Sequence, residues 1–306
     1  MVWQGLLLIV GFVMLMKGAD FFVDGASGIA RKFGIPQLVI GLTIVAMGTS
    51  APEAAVSLTA ALKGSADITI GNVVGSNILN ILIILGITSV IAPLPVERST
   101  ICVEIPFLVG ISALLLFQGM DGSISLVDGI MLLFAFGVYL WYLFGMTKRN
   151  PDTSEETDQE ITIGKALAGA GIGLALIIWG SDVTVDAATA IATYCGLSDR
   201  VIGLTIVALG TSLPELFTSV TAARKGNAGI AIGNIVGSNL FNILFVVGLS
   251  AVIVPIPFAA AFRIDMAAAI GAGILLFFCC VKNHRLSRLA GILMLCCYAL
   301  YFFLIL

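Results

Sequence analysis

Two glutamates lie inside apolar stretches of this chain, each at the end of nearly the same phrase: Gly48-Thr49-Ser50-Ala51-Pro52-Glu53 and Gly210-Thr211-Ser212-Leu213-Pro214-Glu215. A carboxylate in hydrocarbon is costly and is a functional residue by default. Two of them at corresponding positions, 162 residues apart, point to one shared site where two halves of the chain meet. A second repeated phrase supplies neutral oxygens: Gly71-Asn72-Val73-Val74-Gly75-Ser76-Asn77 followed by Asn80, and Gly233-Asn234-Ile235-Val236-Gly237-Ser238-Asn239 followed by Asn242. Asn72, Ser76 and Asn80 are spaced i, i+4, i+8 and share one helix stripe, whereas Asn77 and Asn239 point to another face and read as structural. Gly71 and Gly75 permit close helix approach. Carboxylate, hydroxyl, amide and carbonyl oxygens form the ligand set of hard cations such as Ca²⁺. No soft ligand accompanies them, which argues against copper or zinc.

The backbone that carries the glutamates should be broken. Pro52 has no N–H, and its ring crowds the carbonyl of Gly48. Gly48 suits the end of one half-helix, and Ser50-Ala51-Pro52-Glu53 reads as a capping box opening the next. Residues 46–53 then form a discontinuity near mid-membrane with freed carbonyls around Ala46 to Gly48. Such backbone is tolerated in a bilayer only where it lines a cavity or is buried in protein. Ala208, Gly210, Ser212, Pro214 and Glu215 repeat the pattern. The freed carbonyls favour a cation, the amino end of the second half-helix disfavours one, and the full charge of the glutamate outweighs that partial dipole. Four more acids, Asp20, Asp24, Asp182 and Asp186, stand at i, i+4 near the far ends of their spans and read as helix-end residues. Glu104 is matched by Met266 and is expected near an interface.

The elements that must position these residues are apolar. The chain is 59% hydrophobic and 11% charged, with mean hydropathy +1.11, against about 25% charged residues in a soluble domain. Ten spans of bilayer length are expected, near 3–29, 37–62, 67–92, 99–118, 125–147, 163–192, 199–223, 229–254, 260–281 and 286–305. The net charge of −3 says little about partners, and nothing suggests nucleic acid. The six cysteines read as small hydrophobes. Between 39–95 and 201–257, about 36 of 57 positions are identical without a gap.

The fold class predicted is therefore an all-α integral membrane protein. Residues 1–147 form a first five-helix repeat, 148–162 an acidic linker, and 163–306 a second five-helix repeat, with helices 2 and 7 broken. An odd number of spans per half inverts the second half relative to the first. Lysines and arginines in the loops divide eleven to three between the two sides. By the positive-inside rule both termini lie outside and the linker is cytoplasmic, in a cell membrane.

These phrases resemble those of the cation/calcium exchanger superfamily, specifically its prokaryotic sodium/calcium exchanger branch. The family's alpha repeats look like 41–62 with 71–86 and 203–224 with 233–248, and the resemblance covers all ten spans. It implies mid-membrane cation sites built from Thr49, Ser50, Glu53, Ser76 and Asn80 with Thr211, Ser212, Glu215, Ser238 and Asn242, joined by the backbone carbonyls of Ala46 and Ala208. It also implies sliding of the first and sixth helices during alternating access. The transported ions would be Ca²⁺ and Na⁺, with no enzyme activity, cofactor or obligatory protein partner. Some members carry an aspartate where this chain has Asn242, so two carboxylates remain here, balancing one Ca²⁺ or two Na⁺. Proton-coupled relatives carry G-N-x-x-E, where this chain has Gly75 and Gly237. The alternatives kept open are a Ca²⁺/H⁺ exchanger with Glu53 and Glu215 as proton carriers and, more distantly, a passive cation channel.

Overall fold

The computed structural model describes residues 2–63, 66–149, 162–195 and 208–305. The expected linker lies almost wholly outside them, as does the first part of the expected span 199–223. Within them the chain is helical: α1 (Val2–Phe33), α2 (Gln37–Thr49), α3 (Ala51–Leu62), α4 (Ile68–Ile91), α5 (Thr100–Asp121), α6 (Leu126–Arg149), α7 (Ile163–Tyr194), α8 (Ala208–Thr211), α9 (Leu213–Arg224), α10 (Ala228–Ile253), α11 (Phe262–Val281) and α12 (Arg288–Ile305). Seven of these are long and apolar enough to cross a bilayer; α2 and α3 together make a bent eighth, and α12 is a shorter apolar helix.

The bend between α2 and α3 is 50°. Pro52 stands in the first turn of α3, where a missing N–H costs nothing, and it leaves the carbonyl of Gly48 without its helical donor. Between the two pieces sits Ser50, at φ −82° and ψ 9°. The same interruption recurs at Ser212, between α8 and α9, with Pro214 in the first turn of α9. There the carbonyl of Gly210, left over for the same reason, accepts from Ser181 Oγ of α7 at 2.6 Å. Its counterpart position in α1 is Ala19, which has no hydroxyl to offer.

α4 and α10 form the centre. They are 72% and 83% buried over their apolar windows, against 44% or less for the other long helices, whose outer faces carry exposed apolar side chains such as Phe134, Trp141 and Trp179. Each central helix is widened locally by a π-helical turn, Asn80–Leu85 and Asn242–Val247. A π turn shifts the register of the side chains that follow it and is common at functional sites.

Contacts of one half recur in the other with the partners exchanged. A Cβ on Gly129 (α6) would meet the carbonyl of Gly248 (α10) at 2.7 Å, and one on Gly291 (α12) would meet that of Gly86 (α4) at 2.6 Å. Short strands do likewise: Leu94–Pro95 pairs with Arg285–Leu286, and Ser123–Ile124 with Ile256–Pro257. The two 32-residue helices α1 and α7 run antiparallel in backbone-level contact. Gly11 faces Gly180 and Thr184, Gly18 faces Gly173 and Ile177, and Gly25 faces Ala166 and Ala170. Glycine is required at these crossings because any side chain would hold the helices apart.

The four aspartates expected at helix ends instead lie within α1 and α7, at least eight residues before Phe33 and Tyr194, and they separate into two unlike pairs. Lys225 Nζ lies 3.2 Å from Asp20 Oδ1 and 2.9 Å from Asp24 Oδ1, tying the end of α9 to α1. Among the described residues, its counterpart Lys63 makes no ion pair with Asp182 or Asp186. Glu104, near the start of α5, is buried, with the hydroxyl of Tyr142 donating to it from α6.

Candidate cation site

The two breaks deliver their glutamates to one another. Glu53 is 1% exposed and Glu215 fully buried. Ser50 Oγ, in the break of the first half, donates to Glu215 Oε1 of the second at 2.7 Å. Ser212 Oγ reciprocates toward Glu53 Oε1 at 3.4 Å. This corrects the expected capping box: Ser50 makes no side-chain cap on α3, because its hydroxyl finds a full charge across the interface instead. A hydrogen bond to a carboxylate is the stronger choice.

Other hydroxyls gather at the same place. Ser238 Oγ lies 3.4 Å from both Glu215 Oε1 and the carbonyl oxygen of Ala46. The hydroxyl of Thr211 is beside the Glu53 carboxyl, and that of Thr49 beside Glu215. Thr49 Oγ1 donates to Asn234 Oδ1 at 2.9 Å. The expectation of a loose carbonyl at Ala46 is not met in this structure: Ser50 N donates to it at 3.0 Å, and the hydroxyls of Thr49 and Ser238 each lie 3.4 Å from it. Ala208 is the first described residue of α8, and Ser76 is buried on α4.

The asparagines divide by task. Asn72 Nδ2 donates to the backbone carbonyl of Glu53 (3.2 Å) and to Ser57 Oγ (2.9 Å). Asn234 does the same with Glu215 (3.3 Å) and Ser219 (2.9 Å). Each pins a glutamate-bearing helix to a central one. Asn80 and Asn242 commit their NH₂ groups to Asn239 and Asn77. Among the described residues, four buried oxygens of this group then have no hydrogen-bond donor: Glu53 Oε2, Glu215 Oε2, Asn80 Oδ1 and Asn242 Oδ1. An orphaned buried acceptor is expensive, and an orphaned carboxylate oxygen more so. Carboxylate and amide oxygens of this kind are the ligands a hard cation takes.

Sequence reasoning missed the glycine seam of α1 and α7, although the seven-residue spacing of Gly11, Gly18 and Gly25 was there to be read. It also missed the exchange of hydroxyls between the glutamates, for which one half alone carries no signal.

Apolar helices of bilayer length around a buried centre lined with oxygen define an ion-transporting membrane protein. Residues 3–145 and 165–306 match the sodium/calcium exchanger protein family, and the chain belongs to that family. It is 40% identical over 258 residues to the inner membrane protein YrbG of Escherichia coli strain K12, covering 81% of this chain and 79% of that one. It is 33% identical over 298 residues to the sodium/calcium exchanger MaX1 of Methanosarcina acetivorans, covering 83% and 84%. A solved structure of the sodium-calcium exchanger NCX_Mj, soaked with Na⁺ and Sr²⁺, matches with a TM-score of 0.86 at 34% identity over 99% of this chain and 98% of that one.

Proposed function

We propose that the protein is an antiporter that moves Ca²⁺ outward against inward-moving Na⁺, with Glu53 and Glu215 as the charged ligands. Thr49, Ser50, Ser76, Asn80, Thr211, Ser212, Ser238 and Asn242 supply neutral oxygens, joined by the carbonyls of Ala46 and Ala208. The observation that carries this reading is the set of four buried oxygens without donors, two of them carboxylate. Two carboxylates balance one Ca²⁺ or two Na⁺, and a further cation would leave net charge in a medium of low dielectric. Competition for the same ligands makes transport coupled.

We read the chain as ten spans in two inverted halves, with both termini outside and the linker cytoplasmic. Support comes from the contacts that recur at an offset of 162 with the halves exchanged, and from the uneven distribution of loop lysines and arginines. Alternating access then follows from one bundle moving against the other about a fixed centre.

The test uses purified protein in liposomes loaded with Na⁺, diluted into Na⁺-free medium with radiolabelled Ca²⁺, beside choline-loaded vesicles with and without a pH gradient. Uptake that needs internal Na⁺ is the expected result. Uptake driven by the pH gradient alone would make the two glutamates proton carriers and the protein a Ca²⁺/H⁺ exchanger. Rapid flux without any counter-ion would make it a channel.

A further inference from the structure

Two buried asparagines outside the ligand set govern which atom the ligand amides present. An amide offers oxygen at one edge and NH₂ at the other, and only the oxygen can bind a cation. The edge shown by Asn80 and Asn242 is thus a matter of chemistry, since both edges have nearly the same shape.

The bonds that decide it begin at the backbone. The carbonyl of Asn239 can only accept, and Asn77 Nδ2 donates to it at 3.1 Å. Asn77 must therefore turn its Oδ1 the other way, where it accepts from Asn242 Nδ2 at 3.2 Å. With its NH₂ committed, Asn242 is left with Oδ1 buried and without a donor. The mirror sequence starts at the carbonyl of Asn77, which accepts from Asn239 Nδ2 at 3.1 Å. Asn239 Oδ1 then accepts from Asn80 Nδ2 at 2.8 Å, and Asn80 Oδ1 is left without a donor. All four asparagines are at most 3% exposed, so water does not compete for these bonds.

We propose that Asn77 and Asn239 are positioning residues that hold the carboxamides of Asn242 and Asn80, each across the interface between the halves, with oxygen toward the transported cation. The proposal rests on the reading of Asn80 and Asn242 as ligands. Without the lock, either amide can rotate and offer its NH₂, which repels a cation. The coupling is crosswise: Asn77 acts on Asn242 of the other central helix, not on Asn80 three residues along its own.

A double-mutant cycle on the reconstituted protein tests this, reading the half-saturating Ca²⁺ concentration for uptake and, as a second readout, Ca²⁺-induced thermal stabilisation of the purified protein. Asn242→Ala removes the ligand oxygen and raises the half-saturating concentration. Asn77→Leu, close in volume and without hydrogen bonds, should raise it about tenfold, the effect of losing roughly one buried hydrogen bond. It should add nothing in the Asn242→Ala background and keep its full effect in the Asn80→Ala background. Equal effects of Asn77→Leu in both backgrounds would overturn the proposal and make Asn77 a residue of helix packing alone. An unchanged half-saturation in Asn242→Ala would remove Asn242 from the ligands, and the positioning role would fall with that reading. If Asn77→Leu does not accumulate in the membrane, Asn77→Ser enters the same cycle with the same expected pattern.

Discussion

Glu53 and Glu215 carry opposite demands, and substitution separates them. Each is buried with one oxygen held by a serine of the other half and one oxygen without a donor. A charge so placed burdens the ion-free protein, and in the proposed role it serves the ion-bound one. Glu53→Gln and Glu215→Gln keep the volume and an acceptor for the serine but remove the charge. Each should lower Ca²⁺ uptake at least about a hundredfold, the scale of losing one partner of a buried charge pair. In ion-free buffer the same variants should melt higher than the wild type. Wild-type uptake in either variant would sink the site assignment, and a lower ion-free melting temperature would sink the argument from charge burial. Ser50→Ala tests the crosswise bond. It should weaken Ca²⁺ binding by about tenfold, at the lower end for a hydrogen bond to a charged group, read by Ca²⁺-dependent thermal stabilisation.

At the scale of elements, the α1–α7 seam depends on absent side chains. A Cβ on Gly173 would stand 2.4 Å from Phe22 N and 2.7 Å from the carbonyl oxygen of Gly18, whereas one on Gly171, two residues earlier, would meet nothing within 4 Å. The same substitution should therefore act with opposite sign. Gly173→Ala forces two backbones apart and should cost ~1–3 kcal/mol. Gly171→Ala gains helix propensity and should be neutral or stabilising by up to ~1 kcal/mol. Thermal melts of the two variants in detergent check this, and equal behaviour would mean that the seam is loose. The tie between Lys225 and the two aspartates of α1 is partly exposed and contributes no more than ~1 kcal/mol. Its absence at Lys63 makes it a point at which the two halves differ.

At the scale of the whole molecule, the halves interlock. α6 lies against α10, α12 lies against α4, and both strand pairs join one half to the other. A half expressed alone exposes the faces that the other covers. Residues 1–155 or 156–306 expressed separately should be degraded, and co-expression should restore both the protein and its Ca²⁺ uptake. Stable accumulation of either half alone would show that the interlock is dispensable. Orientation is open to a direct check in a cysteine-free background. Lys63→Cys should react with an impermeant maleimide on intact cells, and Lys282→Cys only after permeabilisation; the reverse pattern would invert the proposed topology.

The sequence by itself determined the apolar spans, the duplication and the residues that could ligate a cation, because hydropathy, a constant offset and isolated carboxylates are local properties. It also located the break, since Pro52 and Pro214 remove backbone donors wherever the chain goes. Only the tertiary structure decided where the hydroxyls point. Ser50 reads locally as a cap, and the competing acceptor, Glu215, is 165 residues away. The same holds for Asn77 and Asn239, whose face on the helix marked them as structural but could not reveal that each sets the orientation of an amide in the other half. Partners that meet across a two-fold exchange of halves leave no mark within either half, so their pairing became legible only once the helices were brought together.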